Sequence, residues 1–246
     1  MRYFIDISYF GNNYHGWQIQ ENAITIQEVI DKSLSTILKS DIKTLGSGRT
    51  DTGVHAISQI AHFDYNDNLG DNFLYKINSL LPRDISINSI NKVRDNVSAR
   101  FDAISREYIY KIHTKKSPFL TDFSFFYPKE IDVVLLNKAC EIIKNFKDLQ
   151  SFSKVKTDVN NYNCTLSYAA LEEENNSYLF RITSNRFLRG MVRAIMGTLF
   201  EINENKIQID SLEEIINKKD RKYAGPSAPA HGLYLQNVLY EADVYI

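Results

Sequence analysis

Tyr3 to Tyr9 alternate apolar and polar positions, and this period of two predicts a half-buried strand at the start of the chain. A polar loop bearing aromatic residues follows. Thr25-Ile-Gln-Glu28 then has the form of a capping box and predicts an amphipathic helix running to about Leu38. Ile57–Phe63, Ile85–Val93 and Glu107–His113 read as strands, with a short helix at Asp71–Leu80 between the first two. After Pro128 a helical stretch runs to about Phe146, and Leu166–Leu171 with Tyr178–Thr183 read as a hairpin closed by an acidic turn. Leu188, Met191, Val192, Ile195, Met196 and Leu199 recur at the spacing of one helix face. Asp210 with Glu213 offers a second capping box for a helix to about Lys218, and Gly232–Tyr240 reads as a closing strand. Strands and helices interleave without the regular βαβ spacing of a doubly wound fold, which predicts an α+β protein with a largely antiparallel sheet. Ser98–Ser105 offers a handover point, giving an N-terminal half of residues 1–104 and a C-terminal half of residues 105–246.

Composition narrows the class without naming a chemistry. With 246 residues, of which 43% are hydrophobic, the chain can bury roughly 70–75% of its unfolded surface and needs no covalent staple. Cys140 and Cys164 have no second Cys or His at metal-ligand spacing. That excludes a zinc motif and a disulfide framework and points to the reducing cytoplasm. Charges stand too early at the N-terminus for a signal-peptide core, and no apolar run approaches the ~18 residues of a membrane helix. Twenty-nine Lys and Arg against 30 Asp and Glu leave a net charge of −1, so the whole chain is no obvious polyanion binder. The charges are uneven, however. Arg181, Arg186, Arg189 and Arg193 follow one another with no acid between them, which predicts a local basic face.

The segment Gly46-Ser-Gly-Arg-Thr-Asp-Thr-Gly-Val-His-Ala56 gathers three glycines, an arginine and an acid between two predicted strands. By composition alone it is a turn, with Asp51 and Thr52 capping it ahead of Gly53. Asp51-Thr52-Gly53 is also the tripeptide of the aspartic proteases, but that chemistry needs two carboxylates sharing a proton. One copy would demand a dimer, and Arg49 would keep Asp51 ionised.

Gly48-Arg-Thr-Asp-Thr-Gly-Val-His-Ala56 also resembles the signature of the TruA family of tRNA pseudouridine synthases, and further blocks follow in the family's order. Tyr9-x-Gly11, Tyr14-His-Gly-Trp-Gln18 and Thr25-Ile-Gln27 are similar to its opening strand, loop and helix, and Gln59, His62 and Phe63 to the next strand. Asn78-Ser-Leu-Leu-Pro82, Ser98 to Tyr110, Phe187-Leu-Arg-Gly-Met-Val-Arg193 with Gly197, and Gly232-Leu-Tyr-Leu235 continue the resemblance. The chain departs from the better-known members at Ser153–Cys164, where Lys154 and Lys156 stand in place of an arginine-containing stretch.

The resemblance implies the pseudouridine synthase fold, with two α+β halves sharing a mainly antiparallel sheet around a central active-site cleft. It also implies a homodimer in the cytoplasm that converts uridines at positions 38–40 of the tRNA anticodon stem-loop, with no cofactor and no metal. Asp51 is then the catalytic carboxylate, acting either as nucleophile at C1′ or as a base at C2′. Arg193 pairs with it and keeps it charged, and Tyr108 stacks on the extruded base. Arg49 is the expected phosphate or stem contact beside the acid, Arg186, Arg189, Lys154 and Lys156 are weaker RNA-contact candidates, and His55 is given no chemistry. A protein of the same fold that binds or chaperones tRNA without catalysis is the alternative.

Overall fold

A computed structural model of the chain describes residues 1–154, 161–174 and 177–246. These residues form two compact units, Met1–Ile104 with Tyr234–Ile246, and Ser105–Leu233. The C-terminal segment from Tyr234 therefore groups with residues 1–104, so the division is not a single cut after Ile104.

In the first unit β1 (Arg2–Tyr9) is the central strand. It pairs antiparallel with β3 (His55–Asp64) on one side and with β4 (Ile85–Val93) on the other. The short β2 (Leu45–Gly46) adds to β3 antiparallel, and β9 (Leu233–Leu239) meets β3 in parallel at His55–Tyr234 and Ala56–Leu235. Helix α1 (Ile26–Leu38) starts where the capping pattern predicts, the Thr25 hydroxyl accepting from the Glu28 amide. Its Ile26, Ile30 and Leu34 are buried, as are Phe4, Ile5, Ile7 and Phe63 of the sheet and Ile77 of α2 (Phe73–Leu80). Each such side chain contributes about 1.5–3 kcal/mol of burial.

In the second unit β5 (Ser105–His113), β8 (Ser177–Ser184) and β7 (Leu166–Glu174) form an antiparallel ladder, and β6 (Phe125–Phe126) pairs parallel to β5. The predicted hairpin is thus present. Helix α3 (Val133–Lys144) begins five residues later than Pro128 suggested, because Asp132 caps it by accepting from the Leu135 amide at 2.8 Å. Helix α4 (Met191–Asn203) buries Met191, Val192, Ile195, Met196 and Leu199 as its stripe predicts, whereas Leu188, also buried, lies ahead of the helix, which begins only after the left-handed Gly190. Helix α5 (Leu212–Asn217) does not use the predicted capping box: Asp210 lies in a 3₁₀ turn and Ser211, already helical in conformation, makes no side-chain cap bond. Both units are mixed α+β with mainly antiparallel pairing. No helix among the described residues is long and apolar enough to cross a membrane.

Candidate active site

The segment bearing Asp51 is an ordered turn held from several sides. Ser47 donates through its amide to Ile60 O at 2.7 Å, and through its hydroxyl to Gln59 Oε1 at 2.7 Å. The buried Gln59 amide returns a bond to Gly48 O at 2.9 Å. Thr50 is buried, its hydroxyl 2.8 Å from that of Tyr9 and its carbonyl accepting from the Trp17 amide at 3.2 Å. The loop at Trp17 can come this close because of Gly16, where a Cβ would lie 2.4 Å from Thr50 O. Asp51 O accepts from Val54 N at 3.1 Å with Gly53 at φ 76°, which makes a β-turn with glycine in its left-handed third position. This main-chain bond closes the turn.

On the far side of the turn His55 is buried. Its Nδ1 accepts from the Gly11 amide at 2.9 Å, and its ring lies between Phe10 and Tyr234 at centroid distances of 4.7 and 4.6 Å. This is a packing and loop-bracing role. Between the fixed Thr50 and His55, Asp51 is half-buried, and the neighbouring Arg49 is exposed.

The second unit holds Tyr108, Arg186, Arg189 and Arg193. Tyr108 and Tyr110 share one face of β5 but differ in environment. Tyr110 is fully buried, its hydroxyl donating to Pro229 O at 2.9 Å and its ring edge-on to Phe125 and Phe200. Burial raises its phenol pKa despite the opposing field of Arg193. Tyr108 is half-buried and packs in a T-shaped contact with Phe187, at 5.1 Å and 86°. Of the alternating pair, Tyr110 is the core residue and Tyr108 is only half-buried.

Arg193 sits in the first turn of α4, half-buried, with Nε donating to Ala228 O at 2.7 Å. Of the two neighbouring glycines, Gly197 marks close packing, since a Cβ there would lie 1.6 Å from Pro226 O. Gly190 does not. Its φ of 71° caps the helix in a left-handed conformation, and a Cβ would find only Lys154 Cβ, at 4.0 Å. Arg186 bonds Asn161 Oδ1 at 3.3 Å, Arg189 is exposed, and Lys154 N donates to Arg189 O at 2.9 Å. Arg181 is not part of the basic face: it lies 2.7 Å from Glu107 and 3.8 Å from Glu172, acids that pairing of β5, β8 and β7 brings beside it. Lys156 lies outside the described residues.

Sequence reasoning missed the Thr50–Tyr9 hydroxyl pair, the Phe187 contact and the Ala228 carbonyl. Tyr9 and Phe187 stand inside blocks that carried the resemblance, whereas a main-chain acceptor leaves no mark in a sequence. Neither cysteine offers a nucleophile, because burial pushes the Cys140 thiol up to about 12 and the Cys164 thiol up to about 11. Among the described residues no group of three or more His, Cys, Asp or Glu could hold a metal ion. The arrangement offers a carboxylate on a braced turn in one unit, and an aromatic ring with a group of cations in the other.

A family model described as tRNA pseudouridine synthase matches residues 7–102 and 146–241, more than half of the chain. A protein of Parabacteroides distasonis named tRNA pseudouridine synthase A is 42% identical over 246 residues, covering 99% of this chain and 98% of its own length. Proteins of the same name from Bacteroides fragilis and Bacillus subtilis are 42% and 36% identical, covering 99% and 98% of this chain and 98% and 100% of their own lengths. Matches of this extent, spanning both units and every block on which the resemblance rested, show that the chain belongs to the tRNA pseudouridine synthase family.

Proposed function

We propose that this chain converts uridine to pseudouridine at positions 38–40 of the tRNA anticodon stem-loop, working as a homodimer in the cytoplasm with Asp51 as the catalytic carboxylate. The observation that carries the reading is the Asp51 turn, which is braced through Thr50, His55, Ser47 and Gly48 and closed by the main-chain bond from Val54 N to Asp51 O. A rigid mount of this kind suits a group that must meet one bond of a substrate.

The reaction is an isomerisation. The N1–C1′ bond breaks, the uracil turns, a C5–C1′ bond forms, C5 loses its proton and N1 gains one. Atoms and electrons balance within the nucleotide, so the chemistry calls for no redox partner. Asp51 either attacks C1′ or removes the C2′ proton, and both routes need it ionised. Arg193 supplies the positive charge that favours the ionised form. Tyr108 presents a ring on which the extruded base stacks. Arg49, Arg186 and Arg189 are exposed or half-exposed cations suited to phosphate contacts that position the RNA without reading its sequence.

The test is tritium release from unmodified tRNA labelled at C5 of uridine, with no cofactor added. The expected result is release that parallels pseudouridine formation. Tight tRNA binding with no release would instead favour a non-catalytic tRNA-binding protein.

A further inference from the structure

Between α5 and β9 the segment Ala224-Gly-Pro-Ser-Ala-Pro229 has no regular structure of its own, yet its polar groups are tied at almost every step. Gly225 N donates to the buried Thr198 hydroxyl at 2.9 Å, and that hydroxyl donates one turn back to Ala194 O at 2.8 Å. Arg221 holds the outer side, Nη1 donating to Ala224 O at 3.2 Å and Nη2 reaching Ser227 Oγ at 3.1 Å. Pro229 O accepts from the buried Tyr110 hydroxyl at 2.9 Å. Between these anchors Ala228 meets Arg193 twice, its amide donating to Arg193 O at 2.9 Å and its carbonyl accepting from Arg193 Nε at 2.7 Å. The strap lies directly on the backbone of α4, because a Cβ on Gly225 would fall 2.7 Å from Gly197 O and one on Gly197 1.6 Å from Pro226 O.

A guanidinium is planar, so a bond through Nε fixes the direction of its other N–H donors. Where Ala228 O sits therefore decides where the rest of Arg193 points. We propose that the Ala224–Pro229 strap is the device that aims Arg193, and that Thr198 and Arg221 are positioning residues for the isomerisation. The inference rests on the role given to Arg193 above. Thr198 is the natural lever: it takes the strap's amide where the two backbones are nearest, three residues before Ala228. Freeing Gly225 N lets the strap lift, and a displacement of about 1 Å in a catalytic group is costly to rate.

The experiment compares Thr198→Val, which keeps the shape but removes the hydroxyl, with Thr198→Ser, which restores it. The full chain is used throughout. Solvent exchange of the Arg193 Nε–H is followed by NMR, its signal assigned from Arg193→Lys, alongside kcat and KM for tRNA and thermal unfolding. Thr198→Val should lose the exchange protection and about tenfold in kcat, the scale of one hydrogen bond, with KM near wild type. Thr198→Ser should recover both, and Arg221→Gln should shift both readouts in the same direction by less. Should Thr198→Val not fold, Arg221→Gln carries the same two readouts. Retained protection in the folded variant overturns the proposal, as does a kcat loss no larger than the unfolded fraction or a failure of serine to restore it. Lost protection with unchanged turnover also overturns it. If Arg193→Lys then turns over at the wild-type rate as well, the fault lies in the role given to Arg193.

Discussion

The Asp51 turn and the Arg186–Arg189 turn both lie outside regular structure and both carry charged side chains, but they are mounted in opposite ways. Thr50 and His55, on either side of Asp51, are buried and bonded to the Tyr9 hydroxyl of β1 and to the Gly11–Trp17 loop, and Gly48 O accepts from the Gln59 side chain of β3. Arg186 and Arg189 point outward from a turn held by the Lys154 amide and a 3.4 Å bond from Arg186 N to Ser184 Oγ. Under the proposed roles, the difference matches what each would have to meet. A carboxylate acting at one sugar carbon tolerates little displacement, whereas cations facing a phosphate backbone act through a broad field.

If that contrast is correct, charge matters most at Asp51. Asp51→Asn should fold normally, bind tRNA at least as well, and lose turnover by at least about 10³-fold. Tritium release and filter binding on one preparation separate these effects. Tyr108→Leu should cost on the order of ten- to a hundredfold in turnover through lost stacking. Tyr108→Phe keeps the ring and isolates the hydroxyl. Wild-type activity in Tyr108→Leu would return Tyr108 to the core, beside Tyr110.

Thr50→Val tests the mount directly. It removes the Tyr9 hydroxyl partner and should cost about 1–3 kcal/mol of stability, read by denaturant unfolding, with a fall in kcat of about tenfold in the folded fraction. An unchanged kcat would mean that Asp51 needs no such bracing. Arg189→Ala should do far less, weakening tRNA affinity a few-fold and lowering the slope of log K against log salt by about 1. Binding by the wild-type protein should itself weaken steeply with salt, and a flat response would remove the basic turn from the account.

Acid titrations of these variants carry a background from His62. Burial, with Arg2 nearby, pushes its pKa down to about 4, and its Nδ1 accepts from the Ala99 amide at 3.0 Å. As pH falls below 6.5 the unfolded chain takes up this proton first, so the stability present above that pH drains away toward pH 4, by roughly 3 kcal/mol. Unfolding at pH 7 and 5, for wild type and His62→Gln, should show the smaller loss in the variant.

Much of this arrangement was legible in the chain itself, and what was not has physical causes. Thr25 gave α1 its start because a cap is a local event, and β4 matched its alternating run from Ile85 to Val93. Asp210 failed as a cap because a 3₁₀ turn took up the residues around it. The two-residue β2 and β6 are too short to show a period. Arg181 read as a member of the basic face because its neutralising Glu107 is distant in sequence and meets it only through strand pairing. Asp51 stood out by its motif, while the bonds that hold it come from Tyr9, Gln59 and main-chain atoms whose roles appear only in three dimensions.

The central claim is tested most directly by mapping pseudouridine, nucleotide by nucleotide, in an unmodified tRNA after incubation with the purified protein and no cofactor. The account predicts modification confined to positions 38–40 with wild-type protein and none with Asp51→Asn. A bound but unmodified tRNA, or the same product from well-folded Asp51→Asn, would contradict it.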